Sequence, residues 1–331
     1  MSRPAYSQPD EFSQLRGRPE LALGDARGLL TAWGLSTDTV AVEELGSERD
    51  QNFRVSVGGH ARYVLKVANS QDDASIVGFQ HAMMQRLVSR GLPCPAVIPT
   101  TEGAPWVVRN GHLVWLMRHL PGHRLADHTD HSGQVFEQLG HILGRVVNAL
   151  DGFDHPAAHR RLQWDALQTG AVLEVYRVAV TDSTKRDILD RAAYDVQRHL
   201  EPILTDLPRS VIHNDANDHN VLVDGEKITG LLDFGDAVHS VTVNELAVGC
   251  AYAMLDKPDP EGVAQSITNG YGAERRITTM EERALPYLIR ARLATSVAIS
   301  AYQQTVHPDN KYLRVSERPA WHLLARLQES S

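Results

Sequence analysis

Cysteine is nearly absent: Cys94 and Cys250 are the only two in 331 residues. Each sits in an apolar stretch with no partner at metal-ligand spacing. A disulfide framework is excluded, and a reduced, cytoplasmic location is the expectation. Positive charge is in deficit, with 33 Lys and Arg against 41 Asp and Glu, a formal net charge of −8. A general nucleic-acid binder would want excess cations to neutralise phosphate, so nucleic acid is not the expected partner. A cationic or metal-bound substrate suits this balance better. No apolar run reaches the roughly 18 residues that cross a bilayer. The polar start, Met1-Ser2-Arg3-Pro4-Ala5, lacks the apolar stretch of a signal peptide, so no membrane association is expected. Glycine, 24 residues, is too sparse for a collagen repeat. Hydrophobic residues at 42% and charged residues at 22% exclude a disordered chain and fit a globular enzyme. There is no internal repeat or low-complexity tract. The length suggests two domains, or one large two-lobed one.

Residues 1 to about 19 are polar and carry Pro4, Pro9 and Pro19, which reads as a flexible arm. Leu21, Leu29, Leu30 and Trp33 recur at helical spacing. Two strand-like runs follow, Val40 to Leu45 and the alternating Phe53-Arg54-Val55-Ser56-Val57. The second meets Gly58-Gly59, a hairpin signal, and Arg62 to Val67 is the return strand. A helix is predicted over 72–90, stopped by Gly91-Leu92-Pro93. Strands follow near Trp106-Val107-Val108 and Leu113 to Met117, and the run breaks at Leu120-Pro121-Gly122. Beyond it, apolar residues at helical period predict helices over 134–150, 167–180 and 186–204. Val211-Ile212 then enters a polar loop, and two short strands, 221–223 and 228–232, flank Asp224-Gly225. Later segments read as helices, with long ones at 241–255 and 283–305. The expected fold is α+β and bilobal: a strand-rich N-lobe over 20–118, and a helical C-lobe over 119–331 carrying one β-hairpin.

The chemistry concentrates in His213-Asn214-Asp215-Ala216-Asn217-Asp218-His219-Asn220 and Asp233-Phe234-Gly235-Asp236. The first reads H-x-D-x-x-x-x-N; the second, one hairpin later, is D-F-G. That is the spacing of the catalytic and metal loops of protein-kinase-like phosphotransferases. Phosphoryl transfer needs one carboxylate facing the acceptor hydroxyl, and an amide oxygen and second carboxylate to hold Mg2+ on the phosphates. Asp215 suits the first role, Asn220 and Asp233 the second. Asp- and Asn-rich loops are ordinarily turns or caps; here the two motifs, the strands between them and the strand-rich lobe upstream all agree.

These residues resemble the aminoglycoside phosphotransferase and choline kinase superfamily, and within it the hydroxylysine-kinase-like branch. The features that carry the branch are Asp50-Gln51-Asn52-Phe53, Met117-Arg118-His119-Leu120-Pro121-Gly122, Asp233-Phe234-Gly235-Asp236 and Asn244-Glu245-Leu246-Ala247. The resemblance spans about 21–305. It implies that Lys66 holds the α- and β-phosphates of ATP or GTP. By the same resemblance, Ser47 and Asn52 in the one-glycine turn are expected to cover the phosphates, and the backbone of Met117, His119 and Leu120 to meet the purine. Related kinases place a Glu on the next helix to pair with this Lys. Here the inward stripe offers Gln80, with Asp72 and Asp73 the nearest acids, so the partner of Lys66 is open. Relatives also commonly have Gly where this chain has Asn214.

The acceptor is the least legible part. An ammonium would want an acid such as Asp236, Glu245 or Asp218, although Glu245 also fits a brace under the loop. A carboxylate would want Arg292 or Arg290, and Tyr252 or Tyr302 could line the pocket. The reading is a small-molecule kinase for an amino alcohol or hydroxylated amino acid such as hydroxylysine. Homoserine, choline-like alcohols and aminoglycosides are the alternative acceptors, and a nucleotide-binding pseudokinase is the rival from another class. Oligomeric state is not readable.

Overall fold

The computed structural model describes residues 19–47, 49–127, 132–306 and 317–329. The expected N-terminal arm lies almost wholly outside the described residues. The chain forms two compact units, one ending at Gly122 and the other running on from His123.

The small unit opens with helix α1 (Leu23–Leu29), which tightens into a 3-10 turn and ends at Gly34 with φ 71°. An antiparallel sheet follows, of β1 (Val40–Leu45), β2 (Gln51–Val57), β3 (His60–Val67), β4 (Val97–Ile98), β5 (Val107–Arg109) and β6 (His112–Arg118). Its order is β1-β2-β3-β6-β4, with β5 also on β6. Gly58 and Gly59 turn β2 into β3 at φ 60° and 79°, a conformation that costs a side-chain-bearing residue dearly. Alternation then sorts the strands. Phe53, Val55, Leu65 and Leu116 are buried on one face with Leu30 and Trp33. Lys66 and Trp115 are cross-strand partners and therefore share the other face. Helix α2 (Ala74–Ser89) starts where the Asp73 carboxylate accepts from the N–H groups of Ser75 and Ile76, 2.8 and 2.9 Å away. It stops at left-handed Gly91, as its sequence predicts.

The large unit carries β7 (His123–Arg124), α3 (Gly133–Ala149), α4 (Thr169–Tyr176) and α5 (Ser183–Asp195). Then come β8 (Arg209–Ile212), β9 (Val221–Asp224), β10 (Lys227–Leu231), β11 (Val238–Val241) and four helices. These are α6 (Asn244–Ala253), α7 (Pro260–Glu274), α8 (Thr279–Val306) and α9 (Glu317–Glu329). Helices α3 and α7 meet backbone to backbone. A Cβ on Gly140 would lie 1.9 Å from the Ile267 carbonyl oxygen, and one on Gly270 2.0 Å from that of Glu137. One expectation fails in detail. The stretch before α6 is strand β11, paired antiparallel with β8, and the helix begins at Asn244 rather than near 241. Four residues, Val-His-Ser-Val, are too few for a periodic signal. No helix among the described residues is long and apolar enough to cross a membrane.

Candidate active site

Two loops of the large unit are set by strand pairing. Loop 213–220 leaves β8 and enters β9; loop 232–237 leaves β10 and enters β11. β9 pairs with β10 with Val221 opposite Leu231, and β11 pairs with β8 with Val238 opposite Ile212. Both loops are thus closed at both ends by ladders. The Leu232 N–H donates to the Asn220 carbonyl at 2.8 Å, which extends the hairpin to the residue before Asp233. Gly225 makes the hairpin turn at φ 58°.

Inside the first loop, His213 is fully buried. Its Nε2 donates to the Leu232 carbonyl at 2.9 Å, and its Nδ1 accepts from the Asp215 N–H at 3.2 Å. Burial holds its pKa down at about 4, so the ring is the neutral tautomer this pairing requires. The ring also stands edge-on to Phe234, centroids 4.7 Å apart. His213 therefore braces one loop on the other. Asn214 sits at φ 66°, which Asn tolerates better than most residues. Its side chain is fully used: Nδ2 donates to the carbonyls of Asp236 (3.1 Å) and Trp164 (3.4 Å), and Oδ1 accepts from Asn244 (2.9 Å). The N–H of Asn214 donates to Glu245 Oε2 at 3.0 Å. Asn214 is thus a four-point anchor. Asp233 also takes positive φ, 55°. Arg160 donates to the carbonyls of Gly235 and Ala237 and pins the second loop from outside.

Asp215 is half-buried at the centre. Its Oδ1 accepts from Asn217 Nδ2 (3.0 Å) and from Arg292 (2.9 Å). Its Oδ2 accepts from Asn220 Nδ2 at 2.7 Å, and the same nitrogen donates to the Asp215 carbonyl at 3.0 Å. Burial pushes the Asp215 carboxyl up; Arg292 works against that shift, and Asp236 and Asp233 add to it. With its nitrogen so engaged, Asn220 keeps its amide oxygen for another partner. Asp233 is exposed, and its Oδ1 accepts from the Gly235 N–H at 3.2 Å.

The acceptor candidates divide. Asp236 is half-buried and near enough to Asp215 and Arg292 to perturb both. Glu245 is wholly buried under the loop, pushed up to about 7 by burial. Tyr252 receives the Arg292 Nε–H at 3.3 Å. Arg290 pairs with Asp195 at 3.2 Å, and Tyr302 packs on Tyr176 with centroids 5.0 Å apart. Asp218 has its carboxyl raised by burial, and its carbonyl accepts from the Ala126 N–H at 2.9 Å.

In the small unit, Lys66 pairs with Asp50 at 2.8 Å, both side chains nearly inaccessible. This acid precedes β2. Helix α2 contains no Asp or Glu at all, and Gln80 is buried with its Nε2 lacking an acceptor among the described residues. Asp50 is itself anchored, accepting from the Asn69 N–H at 2.9 Å, while Arg49 reaches Asp72 at 3.5 Å. Gln51 is structural: it exchanges hydrogen bonds with the backbone of Leu21, at 2.7 and 3.1 Å. Asn52 is Lys66's partner across the ladder, and its buried Oδ1 has no partner among the described residues. Ser47 is half-buried in the turn. Met117 pairs with Val64 and Val97, Leu120 is half-buried, and the His119 N–H donates to the Arg62 carbonyl at 3.0 Å. Sequence reasoning missed Asp50 as the partner of Lys66, and missed Asn217, Arg160 and Trp164. Asp50 and Asn217 stood inside quoted motifs; Arg160 and Trp164 lie in an irregular stretch with no pattern to mark them.

Known proteins are similar to this chain in sequence and in fold. A hydroxylysine kinase of Mus musculus is 27% identical over 95% of this chain and 91% of the relative. A homoserine kinase of Sinorhizobium fredii is 26% identical over 80% and 79%. The solved structure of a microcompartment-associated aminopropanol kinase superposes with a TM-score of 0.72 at 19% identity, over 93% of this chain and 98% of that one. Other solved chains of the fold carry AMP-PNP, ADP or GDP. Residues 41–286 match the family model described as the phosphotransferase enzyme family. With that model covering most of the chain, and with the paired loops already assembled, the chain belongs to the phosphotransferase enzyme family.

Proposed function

We propose that this enzyme transfers the γ-phosphate of ATP or GTP to a hydroxyl of a small hydroxylated amine, first of all a hydroxylated amino acid of the hydroxylysine kind. The observation that carries the reading is the Asp215–Asn220 pair at 2.7 Å, tied through Leu232 to the loop that bears Asp233. The named activities of the relatives support the acceptor class: hydroxylysine, homoserine and aminopropanol each carry an amine and a hydroxyl.

Asp215 orients the acceptor hydroxyl and takes its proton. Asn220 and Asp233 hold magnesium, for which their oxygen donors fit: Mg2+ takes one or two protein oxygens and fills the rest with phosphates and water. No group of three or more His, Cys, Asp or Glu that could hold a metal exists among the described residues. When bound, the ion spreads the charge that builds on the transferring phosphoryl group. Residues 20–118 are the nucleotide-binding part. Lys66 grips the donor phosphates, Ser47 and Asn52 cover them, and the backbone of Met117, His119 and Leu120 reads the purine. Residues from 119 onward bind the acceptor and perform the transfer. Asp236 is the acid best placed for the acceptor ammonium; Glu245 is committed to the Asn214 N–H. Two buried free thiols suit a cytoplasmic setting.

The test is donor consumption with magnesium against hydroxylysine, homoserine, aminopropanol, choline and an aminoglycoside, using ATP and GTP in turn. Acceptor-dependent turnover with one of the first three supports the reading. Nucleotide binding without turnover on any acceptor sinks it and leaves a pseudokinase.

A further inference from the structure

We propose that Arg292 is the positioning residue of the transfer: it fixes which oxygen of Asp215 faces the acceptor hydroxyl. The inference rests on Asp215 being the base proposed above. Arg292 enters from α8 with its side chain 4% exposed, against 16% for Asp215. Its guanidinium is held in three directions: Nε–H to the Tyr252 hydroxyl (3.3 Å), one terminal nitrogen to the Trp164 carbonyl (3.1 Å) and the other to Asp215 Oδ1 (2.9 Å). The Trp164 ring, 4.8 Å from the guanidinium carbon, and the Tyr252 ring, 5.3 Å away, add cation–π contact. Such a group is a rigid fork, not a mobile charge. The Trp164 carbonyl also accepts from Asn214, so the loop and the arginine share one anchor.

The hydrogen bonds on Asp215 are unequal. Oδ1 carries two, from Arg292 and Asn217, and Oδ2 carries one, from Asn220. Oδ2 therefore keeps a lone pair for the acceptor. As the acceptor O–H bond breaks, its proton goes to Oδ2 and the freed oxygen pair bonds to the γ-phosphorus. The bond from that phosphorus to the bridging oxygen breaks, its electron pair leaving on the nucleoside diphosphate. With one N–H on Asp215 and two more on the anchors that aim it there, this arginine serves the enzyme's own acid before it serves a ligand.

The experiment is steady-state kinetics of Arg292→Gln and Arg292→Lys with hydroxylysine and magnesium nucleotide. Arg292→Gln is expected to lose about 100-fold in kcat, the scale of a misplaced catalytic group. Arg292→Lys should recover about tenfold of that, and acceptor KM and nucleotide affinity should stay within about threefold. In an Asp215→Asn background, Arg292→Gln should cost less than about threefold more, because residues that act as a unit are not additive. Two results overturn the proposal: a full additive loss in that background, or a raised acceptor KM at unchanged kcat for hydroxylysine but not for an amino alcohol. Should Arg292→Gln fail to fold, Tyr252→Phe keeps both rings and removes one anchor; a kcat loss of a few fold at constant KM is expected, and no change in kcat overturns the idea. Should the native enzyme turn over no acceptor, the functional reading alone falls. The crystal structure of Arg292→Gln, or of Tyr252→Phe, then decides the present point: a shifted Asp215 carboxylate upholds it, an unmoved one refutes it.

Discussion

Lys66 in the small unit and Arg292 in the large unit are both buried cations held against a carboxylate, at 2.8 and 2.9 Å. In the proposed mechanism their roles are reversed. With Lys66 and Asp50 the cation would work on the substrate while the acid holds it in place. With Arg292 and Asp215 the acid would do the work and the cation would be the holder. The residue types follow. A lysine is a compact charge suited to phosphate oxygens, and a guanidinium is a planar fork suited to fixing one carboxylate. In each pair the holder has an anchor of its own. Asp50 is fastened to the turn before α2, and Arg292 to Trp164 and Tyr252.

The sharpest way to separate workers from holders is to replace each in turn. Asp215→Asn keeps the shape but cannot take a proton; kcat is expected to fall about 10³-fold with nucleotide affinity retained, as calorimetry with the magnesium nucleotide would show. Asp50→Asn leaves Lys66 buried without its counter-charge. It should cost about 3–5 kcal/mol of stability by urea unfolding, and the donor kcat/KM should drop as well. Equal stability of native and mutant would show that Lys66 does not depend on Asp50.

A third acid tests burial in which a cation, Arg292, is only a minor influence. Glu245 lies under the loop with its pKa held up at about 7 against an ordinary 4.5, burial being the chief cause. Between those values the unfolded chain releases this proton while the folded chain keeps it. Its contribution is thus intact below pH 4.5 and falls as pH rises to 7, by about 3 kcal/mol in all. Glu245→Gln retains an oxygen for the Asn214 N–H. Its stability relative to the native chain should improve by that order between pH 4.5 and 8, measured by unfolding across the range. The smallest effect belongs to Asn214→Gly, which suits φ 66° but loses the side-chain anchors. About 1–2 kcal/mol should be lost, seen as a Tm shift of a few degrees.

The same contrast explains what was legible from sequence. Asp215, Asn220 and Asp233 stand in short motifs joined by a hairpin, and ladders bring them together as the spacing predicts. The strands and helices around them announced themselves through alternation, glycine turns and caps. The holders did not. Arg292 is 77 residues from Asp215, on a helix whose arginines give no local sign of direction. Asp50 lay in plain view, but an acid was sought on α2 because related kinases put one there. β11 was too short for a period.

That misplaced acid has a consequence. Protein kinases are commonly silenced by swinging the helix that carries the lysine's glutamate out of reach. Here the lysine draws its counter-charge from the approach to its own neighbouring strand, and the corresponding helix has no anionic residue to withdraw. An on–off lever of that design has nothing to pull.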